Sequence, residues 1–181
     1  MPAIFILPTF ENTMSNLPTI LSIDLGTHTG WALQHADGQI TSGTAHFPLR
    51  KGDGNGMRYL RFRSWLKAML ESPEKIDAVY FEAVYRHDGT YAAHVYGGLL
   101  SHVSELCERY RIPYFGVPVG TIKLFISGRG NASKEDVIRS LKTIGHNPTD
   151  DNEADALALL YFAMHRTGKV HSTNLIKQHG Q

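Results

Sequence analysis

Three apolar runs of β character follow one another early in the sequence, and helical and strand-like runs then alternate; few architectures accept that order. Ile20-Leu21-Ser22-Ile23-Asp24-Leu25 is stopped by Gly26. Thr29–Gln34 and Gln39–Phe47 flank Asp37-Gly38, a dipeptide that favours a tight hairpin turn. Gly52, Gly54 and Gly56 make a flexible loop before a helix predicted over Met57–Leu70, where Tyr59, Phe62, Leu66 and Met69 recur at helical spacing. Ile76 to Phe81 reads as a buried strand that ends in Glu82. A second helix carries Ala92, Val95, Leu99, Val103, Leu106 and Tyr110, and Tyr114–Val117 is a short strand between Pro113 and Pro118. Ser133 and Asp136 make a capping-box pattern, with Asp for the usual Glu, ahead of Val137, Leu141 and Ile144. A last helix runs from about Asp151 to His165. Three antiparallel strands followed by β–α alternation imply an α/β fold: a mixed five-stranded sheet with helices on both faces. The expected organisation is an extended lead-in at 1–18, one domain over 19–168 and a polar tail at 169–181.

The 181 residues, 42% of them hydrophobic, are enough to bury one core and argue against disorder. Cys107 has no partner in the chain, so it reads as a buried free thiol in a reducing cytosol. The apolar stretch Ala3–Leu7 is too short for an export signal, and no run approaches the roughly 20 residues needed to span a bilayer. The expectation is a cytoplasmic protein that does not engage membranes.

Net charge is only +1, but it is segregated. Six bases (Arg50, Lys51, Arg58, Arg61, Arg63, Lys67) face one acid between Leu49 and Lys67. Six more (Arg111, Lys123, Arg129, Lys134, Arg139, Lys142) face two acids between Arg111 and Lys142. Asp150, Asp151, Glu153 and Asp155 then cluster with no base among them. A phosphodiesterase needs that separation: bases to hold phosphates, carboxylates to hold metal. Arg58, Arg61 and Arg63 cannot share one face of a helix, so at most part of their zone can bind phosphate.

Three apolar elements carry carboxylates that their surroundings disfavour. Asp24 lies on the same strand face as Ile20 and Ser22, and Glu82 ends another apolar run. Each alone is compatible with a turn or a solvated strand end. Asp155 precedes Ala156-Leu157-Ala158-Leu159-Leu160, a position where an amphipathic helix would place Leu. Asp151, one turn earlier, projects toward the same side, although acids at a helix N-terminus also suit its dipole. If the strands are neighbours and the last helix crosses their ends, Asp24, Glu82, Asp151 and Asp155 converge. Such carboxylates repel unless cations join them, and Mg²⁺ or Mn²⁺ is the natural partner. Two ions about 3.5–4 Å apart can activate water and stabilise a leaving oxygen in phosphodiester hydrolysis.

Ile23-Asp24-Leu25-Gly26-Thr27 with Thr29-Gly30-Trp31-Ala32, then Phe81-Glu82-Ala83, then Glu153-Ala154-Asp155-Ala156-Leu157-Ala158 resemble the RuvC-type Holliday-junction resolvases, most closely the phage- and prophage-encoded members. Thr121-Ile122-Lys123 and Gly128-Arg129-Gly130-Asn131-Ala132-Ser133-Lys134 extend the likeness, which covers about Leu21 to Phe162. The element order is also that of the ribonuclease-H-like fold these enzymes share.

The resemblance implies Asp24, Glu82 and Asp155 as ligands of Mg²⁺ or Mn²⁺, two ions per site, with Lys123 and Lys134 serving DNA binding and Lys134 catalysis. Bacterial relatives place an acid or His three positions before the last Asp. This chain has Asn152 there, and the fourth role passes to Asp151. The family wedges an aromatic residue into the junction three positions after the strand Glu, which implies Tyr85. Arg129 would contact DNA, and Gly128 and Gly130 would let the backbone approach it. A homodimer acting on branched DNA, above all four-way junctions, and cutting paired strands to 5′-phosphate and 3′-hydroxyl ends is therefore expected. The alternatives are broader cleavage of flaps and forks, a non-catalytic junction binder, and a nucleotide-binding protein of the actin/sugar-kinase type. The last would need a second such domain, for which the chain is too short.

Overall fold

The computed structural model describes residues 17–86 and 89–167. The lead-in and tail expected at 1–18 and 169–181 lie outside them, apart from Leu17 and Pro18. The chain begins with β1 (Ile20–Asp24), β2 (His28–Gln34) and β3 (Ile40–His46), then α1 (Met57–Leu70) and β4 (Ala78–Ala83). It continues through α2 (Thr90–Tyr110), β5 (Tyr114–Pro118), α3 (Val119–Ser127), α4 (Lys134–Thr143) and α5 (Asp151–Arg166). The sheet order is β3-β2-β1-β4-β5. β1–β2 and β2–β3 are antiparallel, whereas β1–β4 and β4–β5 are parallel. This is the expected mixed five-stranded sheet.

The central strand β1 is buried on both sides, and its alternation sorts the core. Leu21 and Ile23 face α1 and α2 with Phe62, Leu66, Leu99, Val103 and Leu106. Ile20 faces the opposite layer, where Ala78 and Tyr80 of β4 meet Leu157, Leu159 and Leu160 of α5. Helix α5 lies across β1, β2, β3 and β4, and α3 and α4 pack on its outer side. It is apolar around most of its circumference because it is covered from several directions.

Two local readings change. β4 starts at Ala78 rather than Ile76 and runs through Glu82 to Ala83, one residue past the expected end. The segment Val119–Ser127 forms α3, a helix the sequence did not announce. Gly120 and the β-branched Val119, Thr121 and Ile122 weaken its helical signal. Burial of Ile122 and Ile126, four residues apart, supplies what propensity lacks. Gly128, at φ 77°, closes the helix in the left-handed region. The Ser133–Asp136 capping box at the start of α4 forms as predicted. Cys107 is fully buried and unpaired, and burial pushes its thiol up to about 12. Among the described residues no helix is long and apolar enough to cross a membrane.

Candidate active site

The sheet topology brings the first two carboxylates together. β1 and β4 are parallel neighbours whose last paired residues are Ile23 and Phe81, so Asp24 and Glu82 follow side by side at the same sheet end. Alternation puts Asp24 on the face of Ser22 and Glu82 on the face of Tyr80, the face that α5 covers.

The third arrives because α5 is seated on the sheet at two points. Ser22 Oγ donates to the carbonyl of Ala156 at 2.7 Å, pinning the helix over β1 one residue beyond Asp155. Over β2, Gly30 leaves no room for a side chain: a Cβ there would sit 1.8 Å from the Asn152 carbonyl oxygen. The first turn of α5 therefore rests backbone to backbone on the sheet.

The acidic run at the head of α5 divides by role. Asp150 is the N-cap, accepting from the Glu153 backbone N–H at 2.9 Å and from Thr44 Oγ1 at 2.8 Å. Glu153 accepts from Ser42 Oγ at 2.6 Å and from the backbone N–H and hydroxyl of Thr149, both at 2.7 Å. Those two acids lock the helix to β3 and its preceding loop. Asp151 and Asp155 point elsewhere.

Electrostatics show that Asp24, Glu82 and Asp155 share one neighbourhood. Burial raises the Asp24 carboxyl well above its ordinary range, and the charges of Glu82, Asp155 and Asp150 push it further. Burial raises Glu82 to about 7, with Asp155 adding to the shift and Lys123 and Lys134 opposing it. Asp155 is likewise raised by burial, opposed by Lys134 and Lys123. No hydrogen-bond donor among the described residues reaches these three carboxylates. Asp151 is more open: it accepts from Lys134 Nζ at 2.8 Å and acts on Asp155 through its charge.

Such a set of hard oxygen donors, crowded and short of internal donors, fits a divalent cation of the Mg²⁺ class. Among the described residues no group of three His, Cys, Asp or Glu side chains is arranged so that it could hold a metal ion as it stands. Cation binding therefore entails some adjustment of the carboxylates.

A pH dependence follows directly. The native state holds a proton on Glu82 up to about pH 7 that the unfolded chain releases near its ordinary 4.5, and Asp24 and Asp155 are shifted in the same direction, so the Glu82 contribution to stability is lost as pH rises through about 7. Without divalent ions the melting temperature should fall between pH 5 and pH 8. Adding Mg²⁺ at pH 8 should restore it, as scanning calorimetry would record. A flat profile in both conditions would mean that the carboxylates do not crowd.

The other residues picked out by sequence fall into two groups. Lys123 Nζ donates to the Ala132 carbonyl at 2.9 Å, tying α3 to the loop before α4, and its charge reaches Glu82 and Asp155. Lys134 reaches Asp24, Asp155 and Asp151, and its ammonium is held protonated chiefly by its bond to Asp151. Replacing Lys134, 59% exposed, by alanine should raise the Glu82 and Asp155 carboxyls further while moving the melting temperature by less than about 2 °C. Carboxyl titration by NMR and calorimetry on one preparation would decide; unchanged titration would reduce Lys134 to surface charge.

Arg129 is engaged by Asp136 at 2.7 Å, and Gly130 packs against the Gly120 carbonyl. Tyr85 is 81% exposed just beyond β4. The three arginines of α1 in the first basic zone are engaged within the protein. Arg58 is buried, Arg61 pairs with Asp53 and Arg63 with Glu105. Gly30 and Ser22 seat the third carboxylate, and sequence alone did not give them that role.

No protein-family model matches the chain, and no curated protein is significantly similar to it. Solved structures are similar. RuvC of Thermus thermophilus in complex with a Holliday junction substrate superposes with a TM-score of 0.67 at 22% identity, covering 84% of this chain and 97% of that one. A second T. thermophilus RuvC structure gives 0.64 at 22% identity over 83% and 97%. The yeast mitochondrial Holliday junction resolvase Ydc2 gives 0.61 at 13% identity over 88% and 82%. A mixed sheet in the order β3-β2-β1-β4-β5, crossed by α5 and matched over nearly the whole length of RuvC, gives this chain the RuvC-type, ribonuclease-H-like fold.

Proposed function

We propose that the chain is a divalent-metal-dependent endonuclease that resolves four-way DNA junctions. The observation that carries this reading is the meeting of Asp24, Glu82 and Asp155 at one sheet end, beside Lys123 and Lys134. It stands on a fold shared with a RuvC described with a Holliday junction substrate.

In this reading Asp24, Glu82 and Asp155 hold Mg²⁺ or Mn²⁺, with Asp151 as the fourth acid. Bound metal supplies an activated water and a counter-charge for the leaving oxygen. Lys134 places its ammonium where the phosphate gains negative charge in the transition state, and Lys123 neutralises the adjoining backbone. Gly128, Arg129 and Gly130 line the approach of the strand between α3 and α4. Two copies of the chain act as a homodimer, one on each of a pair of strands, in the cytoplasm.

Tyr85, exposed and three residues past Glu82, is the side chain suited to enter the opened base stack. Tyr85→Ala should lower junction cleavage about 10-fold. It should weaken the fluorescence change of a branch-point base analogue and leave Mn²⁺ affinity unchanged. A normal rate would return Tyr85 to an ordinary loop residue.

The reading itself is tested by incubating matched four-way, three-way, flap and linear duplex DNA with Mg²⁺, Mn²⁺ or chelator. Metal-dependent paired nicks in the four-way substrate are expected. Equal cutting of flaps and forks would broaden the substrate class, and tight binding without cleavage would make the chain a binder.

A further inference from the structure

A cleft of about 260 Å³ opens at the same sheet end as the carboxylates, on the opposite, α2 face. Leu25, Gly26 and Thr27, which follow Asp24, form one wall, and Val84, two residues past Glu82, adjoins it. Tyr91 and Val95 of the first turns of α2 form the other. Its lining is largely aliphatic and aromatic, with the hydroxyls of Thr27, Tyr91 and Tyr96 as polar points, the last donating to the Glu82 carbonyl at 2.9 Å. That volume is ample for one nucleobase.

Its walls are held at a set separation by an unusual residue. Arg58 is only 7% exposed and lies outside the carboxylate cluster. Its Nη1 donates to the Tyr91 hydroxyl at 2.8 Å, and its guanidinium carbon lies 5.8 Å from the centre of that ring. Its Nε donates to the Phe47 carbonyl at 3.1 Å, while the Phe47 N–H donates to the Thr27 carbonyl at 2.8 Å. One buried cation thus connects the Tyr91 wall to the Thr27 wall. Tyr91 is nevertheless 67% exposed, an aromatic surface that packing alone would not leave open.

We propose that this cleft receives one unpaired nucleobase from the strand being cut, stacked on Tyr91, with Arg58 as the residue that positions the ring. The proposal rests on the junction-cleavage reading above. A phosphate held by Asp24 and Glu82 places the adjoining nucleotide within reach of Leu25–Thr27 and Val84. A base there can be unpaired only where the duplex is interrupted, so the cleft makes cutting selective for branch points and sensitive to the base beside the cut.

The test uses the intact protein and four-way junctions in which each nucleotide flanking the cut is in turn made abasic. One position should lower wild-type cleavage about 10-fold, within the range of a single base–aromatic stack. Tyr91→Ala should cause a similar loss on the normal junction and no further loss on that abasic one. Arg58→Met should flatten the cleavage-site preference without changing junction affinity, whereas Tyr91→Trp should retain most of the rate. With catalytically silent Asp24→Asn protein, 2-aminopurine at the same position should change its emission on binding, and combining Tyr91→Ala should remove that change.

Abasic sites without effect, or losses that simply add to that of Tyr91→Ala, would overturn the inference while leaving junction cleavage standing. A Tyr91→Ala protein that loses dimerisation in sedimentation would overturn it in favour of a contact between two copies. A wild-type protein that cuts no branched DNA with either metal would instead remove the function on which the inference rests.

Discussion

Asp24→Asn should abolish metal-dependent cleavage and at the same time make the protein harder to unfold at pH 8. The two effects have one cause. Asp24 is an acid forced into a buried position next to Glu82 and Asp155, so its ionised form costs free energy that the folded state otherwise carries. Neutralising it removes a buried charge and its repulsion with Glu82 and Asp155. Relief of one such uncompensated buried charge is worth on the order of 2 kcal/mol. For a domain of this size that is roughly 4–8 °C in melting temperature. The gain should shrink toward pH 5, where the wild-type groups are already protonated. Cleavage should drop on the order of 10³-fold or more, and junction affinity should change little. A variant that cut DNA normally, or that melted well below the wild type at pH 8, would remove Asp24 from the cluster.

Gly30→Ala should be the most damaging small substitution away from the charged residues. The added methyl would stand 1.8 Å from the Asn152 carbonyl oxygen and 2.3 Å from its carbon. These are backbone atoms of a helix fixed by Asp150, Glu153 and Ser22, so no flexible side chain can yield. The first turn of α5 has to lift from β2, with a cost of about 3 kcal/mol from overpacking. Asp155 moves with it, and a displacement near 1 Å at a reacting centre is enough for about a 100-fold loss of rate. Calorimetry and cleavage on the same preparation should show both losses, and addition of Mn²⁺ should recover little. Wild-type cleavage by Gly30→Ala would mean that α5 does not depend on this seat to place Asp155.

The acids were legible because their environment is readable locally. A carboxylate ending an apolar strand, or lying where a helix needs Leu, stands out against its neighbours without knowledge of the fold. Asp24, Glu82 and Asp155 are such cases; the succession of periodicities implies a mixed sheet, but the pairing of β1 with β4 that joins them is seen only in the structure. Asp150 and Glu153 stand in the same acidic run, but their partners Thr44, Ser42 and Thr149 are a capping contact and cross-layer contacts. Nothing in the run itself distinguishes them from Asp151 and Asp155.

Gly30 gives still less away. A glycine in a strand signals close approach of something, and only the packing of α5 identifies what approaches. The first basic zone misleads for the opposite reason. Arg58, Arg61 and Arg63 find Tyr91, Asp53 and Glu105, two of them far along the chain, so local charge overstates what remains for DNA. Helix α3 was hidden because its stability comes from burying Ile122 and Ile126 against neighbouring elements rather than from propensity.

The central claim is that Asp24, Glu82 and Asp155 jointly hold divalent metal. Anomalous diffraction from crystals soaked in Mn²⁺, at a concentration that supports cleavage, tests it most directly. The account predicts density bonded to oxygens of all three carboxylates. Density confined to other parts of the molecule, or none near them while the crystals' protein still cuts DNA, would contradict it.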